Sequence, residues 1–269
     1  MKFNPRAPRE GINVSKEHPL TEAATLIVGL SALFVVIVAI VVFFVDFVVF
    51  FVAPKNEARW LQNWVTSDFL PADYDGDRAR ELQTLVDRLS GHWPENPYPF
   101  RVGIISSDEP NALALPGGVI LVTEALVDGA ESENEIAFVL GHEIGHFKNR
   151  DHLRHLGRGV VFGLILVAVS GQDAGLLGSN VIDLTSRSFN RTQESEADTF
   201  GLGLVYKEYG HVAESWRFFE RAAEQSGTLD SFANFLATHP SSNDRIAEIK
   251  KAAMRNGWAL EGSVTPFTG

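Results

Sequence analysis

The chain has 269 residues, enough for one domain of ordinary size with additional segments. Its formal net charge is −11 and it carries no basic patch, which argues against a nucleic-acid partner. It has no cysteine, which excludes disulfides and thiolate metal sites.

Residues 1–22 read as a tail with basic residues at Lys2, Arg6, Arg9 and Lys16. Residues 23–53 are almost wholly apolar, with one charge at Asp46. At about 1.5 Å per residue this run exceeds a bilayer core of about 30 Å, so a tilted or overshooting membrane helix is expected, with Asp46 near an interface. The run is too long for the core of a usual signal peptide and no A-x-A site follows it, which gives an uncleaved signal anchor. Four basic residues before the span against Lys55 and Arg59 after it place the N-terminus in the cytoplasm. The rest of the chain then lies on the extracytoplasmic (periplasmic) side of an inner membrane. Residues 54–77 read as a linker, 78–262 as the folded domain and 263–269 as a short tail.

Within the domain, Leu82, Leu85, Val86 and Leu89 mark an amphipathic helix. Phe100 to Ile105 and Ala112 to Thr123 read as strands, the second broken by Pro116-Gly117-Gly118 into a hairpin. An extended polypeptide can add to a sheet edge through main-chain hydrogen bonds. Asn111, Ala112, Leu113 and Ala114 are therefore candidate substrate-binding residues, with a plain core hairpin as the alternative.

Ser132-Glu133-Asn134-Glu135 reads as a capping box, with Glu135 reaching back to the N-cap. Ile136, Val139, Leu140 and Phe147 continue at helical spacing to about Asn149. This helix carries His142-Glu143-Ile144-Gly145-His146. Residues four apart share one helix face, so the two imidazoles converge on one ion, and Glu143 can accept a proton from a water at that ion. Gly141 and Gly145 are poor helix formers, and they let another element or a substrate come close. The apolar run Val160 to Val169 is too short to span a bilayer, and a crossing there would separate Glu194 from the histidines; it reads as a helix buried or lying on the membrane.

A catalytic zinc usually has three protein ligands, so one more is expected downstream. In Arg191-Thr192-Gln193-Glu194-Ser195-Glu196-Ala197-Asp198, Glu194 and Glu196 are near rivals. Asp198, four residues beyond Glu194, can orient a ligand histidine through its second ring nitrogen, which favours Glu194. Helices are expected near Thr192–Tyr209, Ala213–Ser226 and Asn243–Asn256. The total is an α+β domain, mainly helical with a small sheet. His152 and His155 read as surface or packing residues.

Three ordered blocks now make the chain similar to the HtpX-like zinc metallopeptidases of metallopeptidase family forty-eight, which also holds the CAAX prenyl protease. They are Asn111 to Ile120, His142 to His146, and Glu194-x-x-Ala197-Asp198 preceded by Arg191. A weaker fourth is His239-Pro240 with Arg245-Ile246. The resemblance spans about Leu82 to Ala253. It implies a gluzincin-type domain, one zinc ion held by His142, His146 and Glu194, peptide-bond hydrolysis, and Arg191 with Asp198 supporting the ligands. It also makes His239 a candidate catalytic group that stabilises the oxyanion, with helix capping as the alternative. The family usually has Ser-Arg where this chain has Asn190-Arg191, and some members carry a membrane hairpin near residues 159–171.

The expected function is a membrane-anchored zinc-dependent endopeptidase with Glu143 as general base, acting on polypeptides. Quality control of membrane or exported proteins is what the resemblance alone implies. A zinc-dependent chaperone that binds polypeptide without turnover is the alternative, and intact Glu143 argues against it. A structural metal site is the third reading, and a set of only three protein ligands argues against that.

Overall fold

The computed structural model describes residues 18–69, 76–170, 189–225, 232–239 and 243–267. The expected tail up to residue 17, residues 70–75 of the expected linker, and Pro240 lie outside them. The chain divides into two compact units, Met1–Phe44 and Val45–Gly269.

Helix α1 (Pro19–Phe51) has a mean hydropathy of 3.3 over its most apolar 18 residues. Among the described residues it is the one helix long and apolar enough to cross a membrane. Its side chains from Leu26 to Phe44 are largely exposed. Its last turns, from Val45 onward, belong to the larger unit.

The expected linker is instead largely helical. Helix α2 (Pro54–Phe69) buries Glu57, Ala58 and Val65 and packs on the sheet. A Cβ on Gly117 would lie 2.5 Å from the Gln62 backbone, and Gly117 has φ of 90°, so glycine is required there twice over. Sequence reading missed α2 because its buried face is short and includes a charged residue, Glu57, whose partners are distant in the chain.

Helix α3 (Asp77–Gly91) buries Leu82, Leu85, Val86 and Leu89, the expected stripe. Strands β1 (Arg101–Ile105), β2 (Ala112–Leu115) and β3 (Val119–Thr123) form one sheet in the order β1-β3-β2. β1 runs parallel to β3 and β2 antiparallel to it, with Ala114 opposite Ile120. β2 is thus an edge strand, and it packs beside the helix that carries the histidines.

A short α4 (Glu124–Gly129) leads to α5 (Glu133–Asn149), which is buried from Asn134 to Phe147. Ser132 caps α5, its Oγ accepting from the Glu135 amide at 3.2 Å. Glu135 does not reach back to Ser132. Its carboxylate accepts from the Glu131 amide and pairs with Arg221, because the buried charge needs a cation that no neighbour on its own helix supplies. The reciprocal box occurs instead between Asn190 and Gln193, at the start of a later helix.

Helix α6 (Asp151–Ser170) follows α5 directly, and α7 (Arg191–Tyr209) packs along α5. Helices α8 (Arg217–Gln225), α9 (Ala233–Thr238) and α10 (Asn243–Arg255) complete the fold. One apolar cluster joins α3, the sheet, α5, α7, α8 and α10, with Phe138, Phe147, Phe218, Phe219 and Phe235 among its largest members. Each such ring contributes about 1.5–3 kcal/mol by burial. The expected C-terminal tail is stitched in: Thr265 O accepts from the Glu133 amide at 2.8 Å, and Pro266 bridges to Ser132.

Candidate metal centre

The site is built where α5 and α7 cross. The crossing is close because small residues face each other: a Cβ on Gly145 would lie 2.7 Å from Ala197 Cα, and one on Gly201 would lie 2.7 Å from the His142 amide nitrogen. The two weak helix formers of α5 are thus the residues that admit α7. The approach carries Glu194 and Asp198, one turn apart on α7, to His142 and His146, one turn apart on α5.

His142, His146, Glu194 and His239 are all buried, and each offers one donor atom within 4.8 Å of the others. The Nε2 atoms of His142 and His146 are 3.1 Å apart. Glu194 Oε1 lies 3.3 Å from His146 Nε2. His239 Nδ1 is 3.1 Å from His142 Nε2 and 3.0 Å from Glu194 Oε1. Four ligands at about 2.0–2.1 Å around a tetrahedral ion stand roughly 3.3 Å apart, so the described donors fit one small divalent cation.

The second nitrogens of both α5 histidines are held. His142 Nδ1 is 2.9 Å from Asp198 Oδ1, and His146 Nδ1 is 3.1 Å from Asp151 Oδ2. Asp151 in turn accepts from Gln193 Nε2 at 2.6 Å. Such acceptors fix the ring orientation and leave Nε2 to face the ion. Arg245 donates to both oxygens of Asp198, at 2.9 and 2.8 Å, pairs with Glu194, and lies over the Phe219 ring.

Burial alone would raise the pKa of the Asp198 carboxyl, but Arg245 and His142 hold it below its ordinary value. Burial likewise opposes ionisation of Glu194, yet His239, Arg245 and His142 keep it well below the carboxylate range. Burial lowers the His142 pKa against the pull of Glu194 and Asp198. For His146 burial is outweighed by the bonds to Asp151 and Glu194, which raise it to about 9. Glu194 and Asp198 are thus held ionised by the cationic groups around them.

Glu143 is buried at the same place, and among the described residues neither of its carboxylate oxygens has a hydrogen-bond partner. His239 Nε2 is 3.5 Å from Glu143 Oε1. A buried carboxylate without donors is costly unless a ligand or substrate completes it.

The remaining expectations fare differently. Glu196, the rival ligand, is exposed and accepts from Asn149 Nδ2. Arg191 is exposed and lines a cavity of about 330 Å³ with Phe189, Ser195 and Ile249, on the α10 side of Glu194. The arginine that reaches the acidic residues is Arg245, because α10 rather than the first turn of α7 faces them. His239 was expected as an oxyanion donor or a cap. The structure places its ring among the candidate metal donors, at the C-terminal end of α9. Asn111 is engaged within the sheet: its amide donates to Thr123 Oγ1, and its Oδ1 accepts from the Ala112 amide. Ala112 and Ala114 are buried and Leu113 is half-buried on edge strand β2. Sequence reading missed Asp151, although its place five residues after His146, just past the end of α5, was a signal. His152 is a packing residue, as expected, bonded to Glu57.

Residues 75–253, well over half of the chain, match the sequence model of Peptidase family M48. The chain is 28% identical over 200 residues to a beta-barrel assembly-enhancing protease of Yersinia pestis, covering 68% of this chain and 40% of that protein. It is 29% identical over 233 residues to a protease HtpX homolog of Salinibacter ruber, covering 71% of this chain and 83% of that one. It is 31% identical over 150 residues to the mitochondrial metalloendopeptidase OMA1 of Saccharomyces cerevisiae, covering 53% and 43% respectively. The chain therefore spans about two fifths of the length of the first of these relatives. The family model covers more than half of the chain, and two histidines one turn apart, a glutamate from the facing helix and a buried carboxylate beside them lie within the matched residues: the chain belongs to peptidase family M48, a family of metallopeptidases.

Proposed function

We propose that this chain is a membrane-anchored zinc endopeptidase, with His142, His146 and Glu194 holding the ion. One observation carries the catalytic reading: Glu143 is buried beside the donor group with both oxygens lacking hydrogen-bond partners among the described residues. A purely structural metal site has no use for such a group. The specific rival is a closed structural site, favoured by His239 as a fourth protein donor. Hydrolysis needs that corner for substrate, so turnover requires His239 to give way.

When bound, zinc polarises the scissile carbonyl and lowers the pKa of water at the site. Glu143 takes a proton from the attacking water as its oxygen joins the carbonyl carbon, and delivers that proton to the amine nitrogen as the C–N bond breaks. Asp198 and Asp151 hold His142 and His146 in place throughout. Edge strand β2 offers its free side to an extended polypeptide, which suits sequence-tolerant cleavage.

The test is Glu143→Gln. The amide keeps the shape but cannot accept the proton, so peptide hydrolysis should fall by about 10²–10⁴-fold while bound metal and fold are kept. Casein cleavage and metal content are measured on the same preparations. Near wild-type cleavage by the variant refutes the mechanism; wild-type protein that binds unfolded polypeptide without cutting it supports the chaperone alternative.

We read α1 as the anchor, the tail before it as cytoplasmic and the domain after it as extracytoplasmic, on the flanking charge bias. Protection of that domain from externally added protease would reverse the orientation. Quality control of membrane or exported proteins is the role that the family resemblance alone implies.

A further inference from the structure

The three residues that follow α5 reach the end of α1, Glu57 of α2 and His146 between them. Arg150 caps α5 in the left-handed conformation, φ 60° and ψ 30°, where glycine is the usual residue. That conformation turns the arginine away from its own helix. Its Nη1 donates to the carbonyl oxygens of Val49 and Val52, both at 2.6 Å, at the end of α1. The Val49 carbonyl is among the last of α1, which lack partners within the helix, and the Val52 carbonyl lies just past its end; a guanidinium there also answers the negative end of the helix dipole. Its Nη2 donates to Glu57 Oε2 at 3.2 Å.

Asp151 holds the ring of His146, and His152 Nε2 lies 2.6 Å from Glu57 Oε1. Glu57 also accepts from the Tyr98 hydroxyl at 2.9 Å. Glu57 and His152 are buried, so the network is sealed from water and its members are not freely exchanged for solvent. One tripeptide therefore ties the end of α1, the start of α2 and a metal-site histidine together. A residue held in a rarely populated conformation persists only where its surroundings demand it, and here the demand comes from the carbonyls of Val49 and Val52 and from Glu57.

We infer that Arg150-Asp151-His152 transmits the position of the membrane-helix end to His146, which makes Arg150 a positioning residue for hydrolysis. The inference rests on α1 as a membrane span and on His146 as a metal ligand. Displacement of the α1 end by a thinner or thicker bilayer pulls on Arg150, and the neighbouring Asp151 carries the shift to the imidazole.

The experiment uses the full-length protein in nanodiscs of short-, medium- and long-chain phosphatidylcholine, as wild type, Arg150→Ala and Arg150→Lys. Peptide hydrolysis gives kcat and KM. Amide hydrogen exchange across 146–152 is followed on the metal-free protein. Wild-type kcat should change by about fivefold or more across the series with KM little altered, a usual size for coupling between sites. Amide protection should move in parallel. Arg150→Ala should lose both responses, and Arg150→Lys, which keeps the charge but not the fork, should fall between. Wild-type kcat and exchange that ignore bilayer thickness overturn the inference, as does an alanine variant with the full wild-type response. If the alanine variant does not fold, the lysine variant decides, and an undiminished response in it overturns the inference. Wild-type protein that hydrolyses nothing in any disc counts against the peptidase reading, while the exchange measurement still decides the coupling.

Discussion

Gly201→Ala tests whether the α5–α7 crossing sets the site. The added Cβ would lie 2.7 Å from the His142 amide nitrogen and 2.8 Å from the Gly141 carbonyl carbon, where ordinary contact begins at 3.4 Å. Both neighbours are backbone, so no side chain can swing aside and the helices must part by about 0.7 Å. The same movement stretches the 2.9 Å contact between Asp198 and His142 to about 3.6 Å, beyond hydrogen-bond reach. Alanine for glycine in a helix interior normally stabilises by about 0.5–1 kcal/mol. Overpacking costs about 1–3 kcal/mol, so a net loss of about 1–2 kcal/mol is expected. Loss of the orienting contact should weaken metal binding by about 10–100-fold. Gly203→Ala is the control on the same helix: its Cβ meets only the Trp258 ring, at 3.4 Å, so it should keep metal affinity and gain stability. Thermal melting with and without added zinc, and chelator competition for affinity, read both effects. If Gly201→Ala melts and binds zinc as Gly203→Ala does, the close crossing is not what positions the ligands.

Glu194→Ala should lose most of the bound metal and Glu196→Ala should keep it, since Glu194 is buried among the donors and Glu196 is exposed; equal loss on metal analysis refutes the ligand assignment. Glu57 supplies a pH test. Burial works to raise its pKa, but His152, Tyr98 and Arg150 hold it down at about 2, against 4.5 in an ordinary glutamate. A depressed pKa contributes stability that is present above pH 4.5 and lost as pH falls toward 2. The stability difference between wild type and Glu57→Gln should therefore shrink by up to about 3 kcal/mol over that range, measured by denaturant unfolding; a difference independent of pH would show that the Glu57 charge is not what its neighbours stabilise.

The sequence by itself determined the features that follow from local periodicity. The histidines of α5, and Glu194 with Asp198 on α7, share helix faces because residues four apart must. The long helix α1 was legible in an apolar run interrupted by one charge, Asp46, and Gly141 with Gly145 already marked a close approach. What only the tertiary structure decided depends on contacts between residues far apart in the chain. His239 joins the donor group from 97 residues beyond His142, and Arg245 clamps Asp198 from 47 residues beyond it. The expected linker is a packed helix because Glu57 finds Tyr98, Arg150 and His152. Helical spacing fixes which side chains share a face of one helix. Which faces meet is fixed by the packing of small residues and the pairing of buried charges, and those are satisfied only in three dimensions.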